Sequence, residues 1–257
     1  MMTARQALDM NYNIHISEEF GFVFFNNPKA GCSTTKATLN LACAKRLGVP
    51  LEYRAMSDIH SRAFNILKTP KQMGGQRTEQ MINDPATFRF CVLREPISRT
   101  ASAYSSKFRG HSPQMQRLNE FLGRPSDQPW PNINEFVAAI TSDNKIRDFD
   151  PHWRLQYLQV GAAKVDMTLV GFQEELDVSL RKFSRQVFGD EDIEIFDARD
   201  HFRQNISRGK LLAQTLTPES LRLLREAYAE DFEFYRREWM RMHPGAEALP
   251  QQEALAG

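Results

Sequence analysis

Nine consecutive residues, Pro28-Lys29-Ala30-Gly31-Cys32-Ser33-Thr34-Thr35-Lys36, bring together small residues, three hydroxyls and two lysines. Such a set can hold an oxyanion: small residues let backbone N–H groups come close, hydroxyls donate, and Lys29 adds a mobile positive charge. The theme returns further on, where Arg94 follows a second apolar run and Ser98, Ser102 and Ser105 recur after Pro96, with Arg109 beyond them. Two oxyanion-binding turns suit a ligand with two phosphate groups.

The elements that must position these residues are legible around them. Phe22 to Phe25 is apolar and aromatic, long enough for a buried strand and too short for a buried helix. Asn27-Pro28 breaks it, Ser33 and Thr34 are N-cap types, and Leu39, Ala42, Cys43 and Leu47 follow on helical spacing until Gly48 and Pro50 end the segment. A strand, a tight turn and a helix N-terminus present free N–H groups and a positive dipole end to an anion. The stretch is not a Walker A loop, because no Gly-Lys-Ser/Thr ending follows Gly31. A plain strand-to-helix turn with no ligand fits these residues equally well.

Phe88 to Leu93 reads as a second strand, and Pro96 opens a helix whose Ile97, Ala101, Tyr104 and Phe108 form a core face. Leu51 to Leu67 is a mixed segment holding Tyr53, His60 and Arg62, and Lys68 to Ala86 is a connection with a short helix. Gly110 to Pro131, rich in Pro, Gly, Gln and Arg, reads as a surface excursion that could serve as a lid or acceptor loop. Asn132 or Asn134 caps a helix through Phe136, Val137 and Ile140, and Asp148 to Tyr157 contains Asp-Phe-Asp-Pro-His-Trp-Arg. Met167 to Val170 is a third strand, followed by a helix burying Leu176, Leu180, Phe183 and Val187; Ile193 to Phe196 suggests a fourth strand. One last helix starts at Thr217-Pro218 and buries Leu221, Leu224, Tyr228, Phe232 and Tyr235. This alternation implies an α/β chain with a mainly parallel sheet covered on both faces, its ligands at the carboxyl ends of the strands. A single domain over 1–240 with a loose tail over 241–257 is expected.

Composition narrows the classes. The chain has 257 residues, 41% hydrophobic and 25% charged, which is the balance of a globular protein. With 33 Lys plus Arg against 32 Asp plus Glu there is no global basic field for nucleic acid. No window approaches a membrane span or a signal peptide, so a soluble, cytoplasmic protein is expected. Cys32, Cys43 and Cys91 are odd in number, without Cys-x-x-Cys spacing, and read as reduced thiols.

With these segments in order, the chain resembles the carbohydrate sulfotransferases that use 3′-phosphoadenosine-5′-phosphosulfate (PAPS), in the branch containing the chondroitin 4-O- and HNK-1 sulfotransferases. Pro28 to Lys36 is similar to that family's 5′-phosphosulfate loop. Val92-Leu93-Arg94-Glu95-Pro96-Ile97-Ser98-Arg99, with Ser102-Ala103-Tyr104 and Lys107-Phe108, is similar to its 3′-phosphate element. Glu135-Phe136-Val137, His152-Trp153, Leu169-Val170-Gly171-Phe172 with Glu174-Glu175-Leu176, Asn205-Ile206-Ser207 and the Tyr228 to Tyr235 segment also fall in the family's order.

The resemblance implies a P-loop-like three-layer α/β/α fold, a PAPS donor with PAP as product, no required metal, and a hydroxyl-bearing glycan or small-molecule acceptor. It implies that Pro28, Lys29, Ala30, Gly31, Cys32, Ser33, Thr34 and Thr35 hold the phosphosulfate. Arg94 and Ser102 would hold the 3′-phosphate, with Asn205 and Ser207 near the cofactor. Lys29 would stabilise the leaving group, and His60, or next His152, would take the acceptor proton, with His111 a weaker candidate. The rival readings are a P-loop kinase using ATP and Mg²⁺, and a nucleotide-binding module without turnover.

Overall fold

The computed structural model describes residues 11–108, 110, 112–130, 132–202, 209–246 and 249. They fall into two compact units, one formed by residues 1–93 with 160–206 and the other by 94–159 with 207–257. No helix among the described residues is long and apolar enough to cross a membrane.

The first unit is built on a four-stranded sheet in the order β1 (Ile14–Ser17), β2 (Phe22–Phe25), β3 (Phe88–Leu93), β4 (Leu169–Phe172). β2, β3 and β4 run parallel, and β1 joins antiparallel at the edge of β2. The chain is therefore α/β, with a mostly parallel sheet flanked by helices. Its parallel strands are near-continuous apolar runs because helices cover them. Phe24 stands opposite Phe90 in register, and Phe183, from the Leu176–Phe188 helix, packs its ring 5.0 Å from both Phe22 and Phe90. Burial of each such ring contributes roughly 2–3 kcal/mol.

Three local expectations shift. Helix α1 spans Cys32–Leu47 and its N-cap is Gly31, at φ 73°, so Ser33 and Thr34 lie inside the first turn rather than capping it. The third strand runs two residues further than Val170, because Gly171 continues it. A Cβ there would stand 2.7 Å from Ser179 Cβ, so only glycine lets the flanking helix approach this closely. The expected strand over Ile193 to Phe196 is irregular chain. Ile193 is buried, and the Phe196 N–H donates to Thr38 Oγ1 at 3.0 Å, so a side chain on α1 takes the place of a strand neighbour.

The described residues of the second unit contain helices and no strand. Pro96–Lys107 begins on a strong cap: the Glu95 carboxylate accepts from the N–H groups of Ile97 (3.0 Å) and Ser98 (2.7 Å), with Pro96 in the first turn. Asn132 caps Ile133–Thr141. The core gathers Tyr104, Phe108, Trp130, Phe136, Trp153 and Tyr228. Part of the supposed surface excursion belongs to this core. Pro113–Phe121 is a helix capped by Ser112, with Met115 and Leu118 buried. The last helix divides into Pro218–Ala227 and Ala229–Met242. Tyr228 sits at the break, its ring buried and its hydroxyl donating to the Trp153 carbonyl at 2.6 Å.

Candidate functional site

Within the first unit, β2 delivers the chain into a turn whose backbone is built for close approach. The Ala30 N–H donates to the Asn27 carbonyl at 3.2 Å, and Asn27 Nδ2 donates to Val92 O at 3.0 Å, which ties the turn to the end of β3. Lys29 has φ 73°, the one non-glycine residue with positive φ among those described. Gly31 repeats that conformation, and a Cβ on it would stand 2.9 Å from Leu176 Cδ2, so backbone and space both select glycine. Pro28, Ala30 and Thr35 are buried, while Lys29, Gly31, Cys32, Ser33 and Thr34 are half-buried. α1 carries no acidic residue in its first turn, so its N–H groups and positive dipole end meet no neighbouring carboxylate on that turn. The Thr35 hydroxyl donates back to Gly31 O at 3.1 Å and serves the helix.

The structure brings His60 to this turn. It ends the short helix α2 (Met56–His60), which Asp58 holds by accepting from the N–H groups of Arg54 and Ala55, both at 2.9 Å. His60 Nε2 lies 3.2 Å from Ser33 Oγ, and Nδ1 lies 2.8 Å from Lys36 Nζ, with the Tyr12 hydroxyl 3.5 Å from the same nitrogen. Lys36 is only 1% exposed, and its Nζ sits 5.2 Å from the centre of the Tyr12 ring. Burial lowers the Lys36 pKa, partly opposed by Cys32. His15, on β1, is also buried, and burial together with the Lys36 charge pulls it down to about 3, so it stays neutral at ordinary pH.

The second unit holds the remaining described candidates. The Arg94 N–H donates to Gln156 Oε1 at 3.0 Å, and Gln156 Nε2 donates back to Arg94 O at 2.7 Å. Ser98 and Ser102 lie buried on the Pro96–Lys107 helix. His152 Nδ1 is 2.6 Å from Asp150 Oδ1, and Arg117 Nη2 donates to Asp150 Oδ2 at 3.1 Å. Burial alone would raise the Asp150 pKa, but the hydrogen bond and charge of His152, with Arg117, outweigh it and hold the carboxyl below its ordinary range. The turn that carries His152 is strapped down by Arg99. Its buried guanidinium donates to the carbonyls of Arg154 (2.7 Å) and Pro151 (2.8 Å).

Asn205, Ser207 and His111 lie outside the described residues. In the sequence, Lys36 and Arg99 stood out only as members of the two matched segments, and His15, Tyr12 and Asp150 had no role. The Ser33/Lys36 spacing on one helix face and the Asp-x-His spacing of Asp150 and His152 were visible signals. Nothing flagged His15, because β1 itself was not read as a strand.

The frame and turn agree with what comparison finds. The model of the sulfotransferase family matches residues 12–236, from the approach to β1 into the last helix. Comparison with curated proteins returns no match. A match over most of the chain, on an α/β sheet whose first buried parallel strand runs through a left-handed turn into a helix N-terminus, shows that the chain belongs to the sulfotransferase family.

Proposed function

We propose that the protein transfers the sulfuryl group of PAPS to a hydroxyl of a glycan or other small acceptor. The observation that carries this reading is the Pro28 to Ser33 turn: Lys29 and Gly31 in left-handed backbone, opening directly onto the N-terminus of α1, whose first turn has no acidic residue. Such a turn fits the phosphosulfate end of the donor. Arg94 and Ser102 are assigned the 3′-phosphate on the sequence resemblance, and the kinase alternative is not favoured once the family is known.

In the reaction the acceptor oxygen attacks sulfur, the bond from sulfur to the 5′-phosphate oxygen breaks, and the acceptor proton passes to a base. The leaving PAP phosphate gains negative charge, which Lys29 and the α1 N–H groups stabilise. Positioning and charge stabilisation supply most of the catalysis in such in-line transfers. His152 is suited to be the base, because a carboxylate on Nδ1 makes Nε2 the basic ring nitrogen and stabilises the imidazolium that forms.

Thermal unfolding with PAP, and separately with ATP and Mg²⁺, tests the donor. PAP at 100 times its Kd should stabilise the fold by about 2.7 kcal/mol. Lys29→Ala should lower transfer by about 10²–10³-fold while the protein stays folded. Stabilisation by ATP with Mg²⁺ and none by PAP would overturn the reading.

A further inference from the structure

His60 sits between an ammonium that only donates and a hydroxyl that can donate or accept, and that fixes more than its own position. An ammonium has three donors and no acceptor, so a charged Lys36 at 2.8 Å obliges Nδ1 to accept. The ring proton is then on Nε2, which donates to Ser33 Oγ at 3.2 Å. Ser33 accepts from the imidazole, and its own hydrogen turns toward the anion held by the α1 N-terminus. If Lys36 loses its proton the direction is no longer fixed, because a neutral amine accepts as well as donates. In the reversed arrangement Nδ1–H donates to the amine, Nε2 accepts from the Ser33 hydroxyl, and Ser33 shows the anion only lone pairs.

We propose that Lys36 and His60 are positioning residues of the donor site, forming a one-way hydrogen-bond chain, Lys36 to His60 to Ser33, that commits the Ser33 hydroxyl to donate to the phosphosulfate. The proposal rests on the PAPS reading for the identity of the anion, but the chain itself is a property of the free protein. It separates the two histidines by task, with His60 serving the donor and His152 suited to the acceptor proton. His60 is a poor base in this arrangement, because protonating Nδ1 would place its hydrogen against the Lys36 ammonium.

The groups facing Lys36 explain how the chain is set. Tyr12 and His15 approach from the N-terminal segment and β1, Cys32 from the preceding turn of α1, and His60 from α2, while Arg62 lines the same small polar cavity. His15 is held neutral, so it adds no like charge beside the lysine. Burial lowers the lysine's pKa, so the commitment of Ser33 should fail at a lower pH than an exposed lysine would give.

Two measurements decide the matter. The ¹⁵N shifts of His60 in the free protein report its tautomer: Nε2–H in the wild type and a mixture in Lys36→Met is the expected result. An Nδ1–H tautomer in the wild type overturns the proposal. Calorimetric titration with PAP should then show about tenfold or more weaker binding in Lys36→Met, the scale of one charge-assisted hydrogen bond, with Lys36→Arg restoring most of it. Ser33→Ala should weaken binding similarly, and adding Lys36→Met to it should cost little more. Independent, additive losses in the double variant would refute the chain. The wild type should lose PAP affinity as pH rises through the lowered lysine pKa, and Lys36→Met should lack that limb. If the wild type binds no PAP at all, the donor reading has failed, and the tautomer result alone upholds or overturns the chain.

Discussion

At the scale of single residues, the site depends on titratable groups held away from their ordinary behaviour. His15 is the clearest. Its folded pKa of about 3 lies below the unfolded value of 6.5, so its contribution to stability is complete above pH 6.5 and is lost as pH falls and the unfolded chain takes up the proton. The loss should reach about 3 kcal/mol near pH 4. Asp231 works in the opposite direction. Burial raises it to about 6, above its unfolded 3.8, so the folded chain binds its proton more tightly and gains stability as pH falls through that window. Denaturant titrations of the wild type and His15→Gln across pH 4 to 7 separate the two. The variant should lose the acid limb, and identical pH profiles would show that His15 is not held neutral by its surroundings. Asp150→Asn offers a second test, since the amide keeps the size but removes the charge that steadies the His152 imidazolium. Transfer should fall by at least about 10²-fold with its acidic limb moved to lower pH, and His152→Ala should lose that limb. A rate profile unchanged in Asp150→Asn would remove His152 from the chemistry.

Among the elements, the turn before α1 and the cap before Pro96 are the two places where local backbone chemistry positions the candidates. Gly31→Ala would force a Cβ into left-handed backbone and against Leu176, costing at least about 1–2 kcal/mol and weakening PAP binding. Unfolding in urea measures the first effect; a variant as stable as the wild type would mean the turn has room that the structure denies it. Glu95→Ala removes two accepted N–H bonds at once and should cost about 1 kcal/mol in urea unfolding. These elements also show how much of the protein was legible beforehand. β2, β3 and their following helices announced themselves as short apolar runs ending in turn residues. β1 did not, because its Ile-His-Ile-Ser alternation spans only four residues, too short a run to stand out. Ile193 to Phe196 had strand composition, but its hydrogen bonding goes to Thr38, a partner no local pattern reveals. In the site, the Pro28 to Thr35 turn was readable from residue types. The Lys36, His60 and Ser33 grouping was not, because it joins residues on two helices separated by a loop.

For the whole molecule, the central fact is that neither compact unit is a contiguous piece of chain. β3 pairs with β4, which arrives only after the entire 94–159 segment has been made, and Phe183 covers Phe22, Phe88 and Phe90 from still later in the sequence. A fragment of residues 1–93 should therefore stay unfolded by circular dichroism, lacking both its sheet neighbour and its aromatic cover; a cooperative thermal transition in that fragment would contradict this. The same global view changes the meaning of Lys29. Left-handed backbone at a residue with a Cβ costs about 1 kcal/mol or more, and glycine would remove that cost. Lys29→Gly should thus give a protein that melts higher and binds PAP worse, so that a selection for thermostability alone would discard the charge proposed to act on the donor.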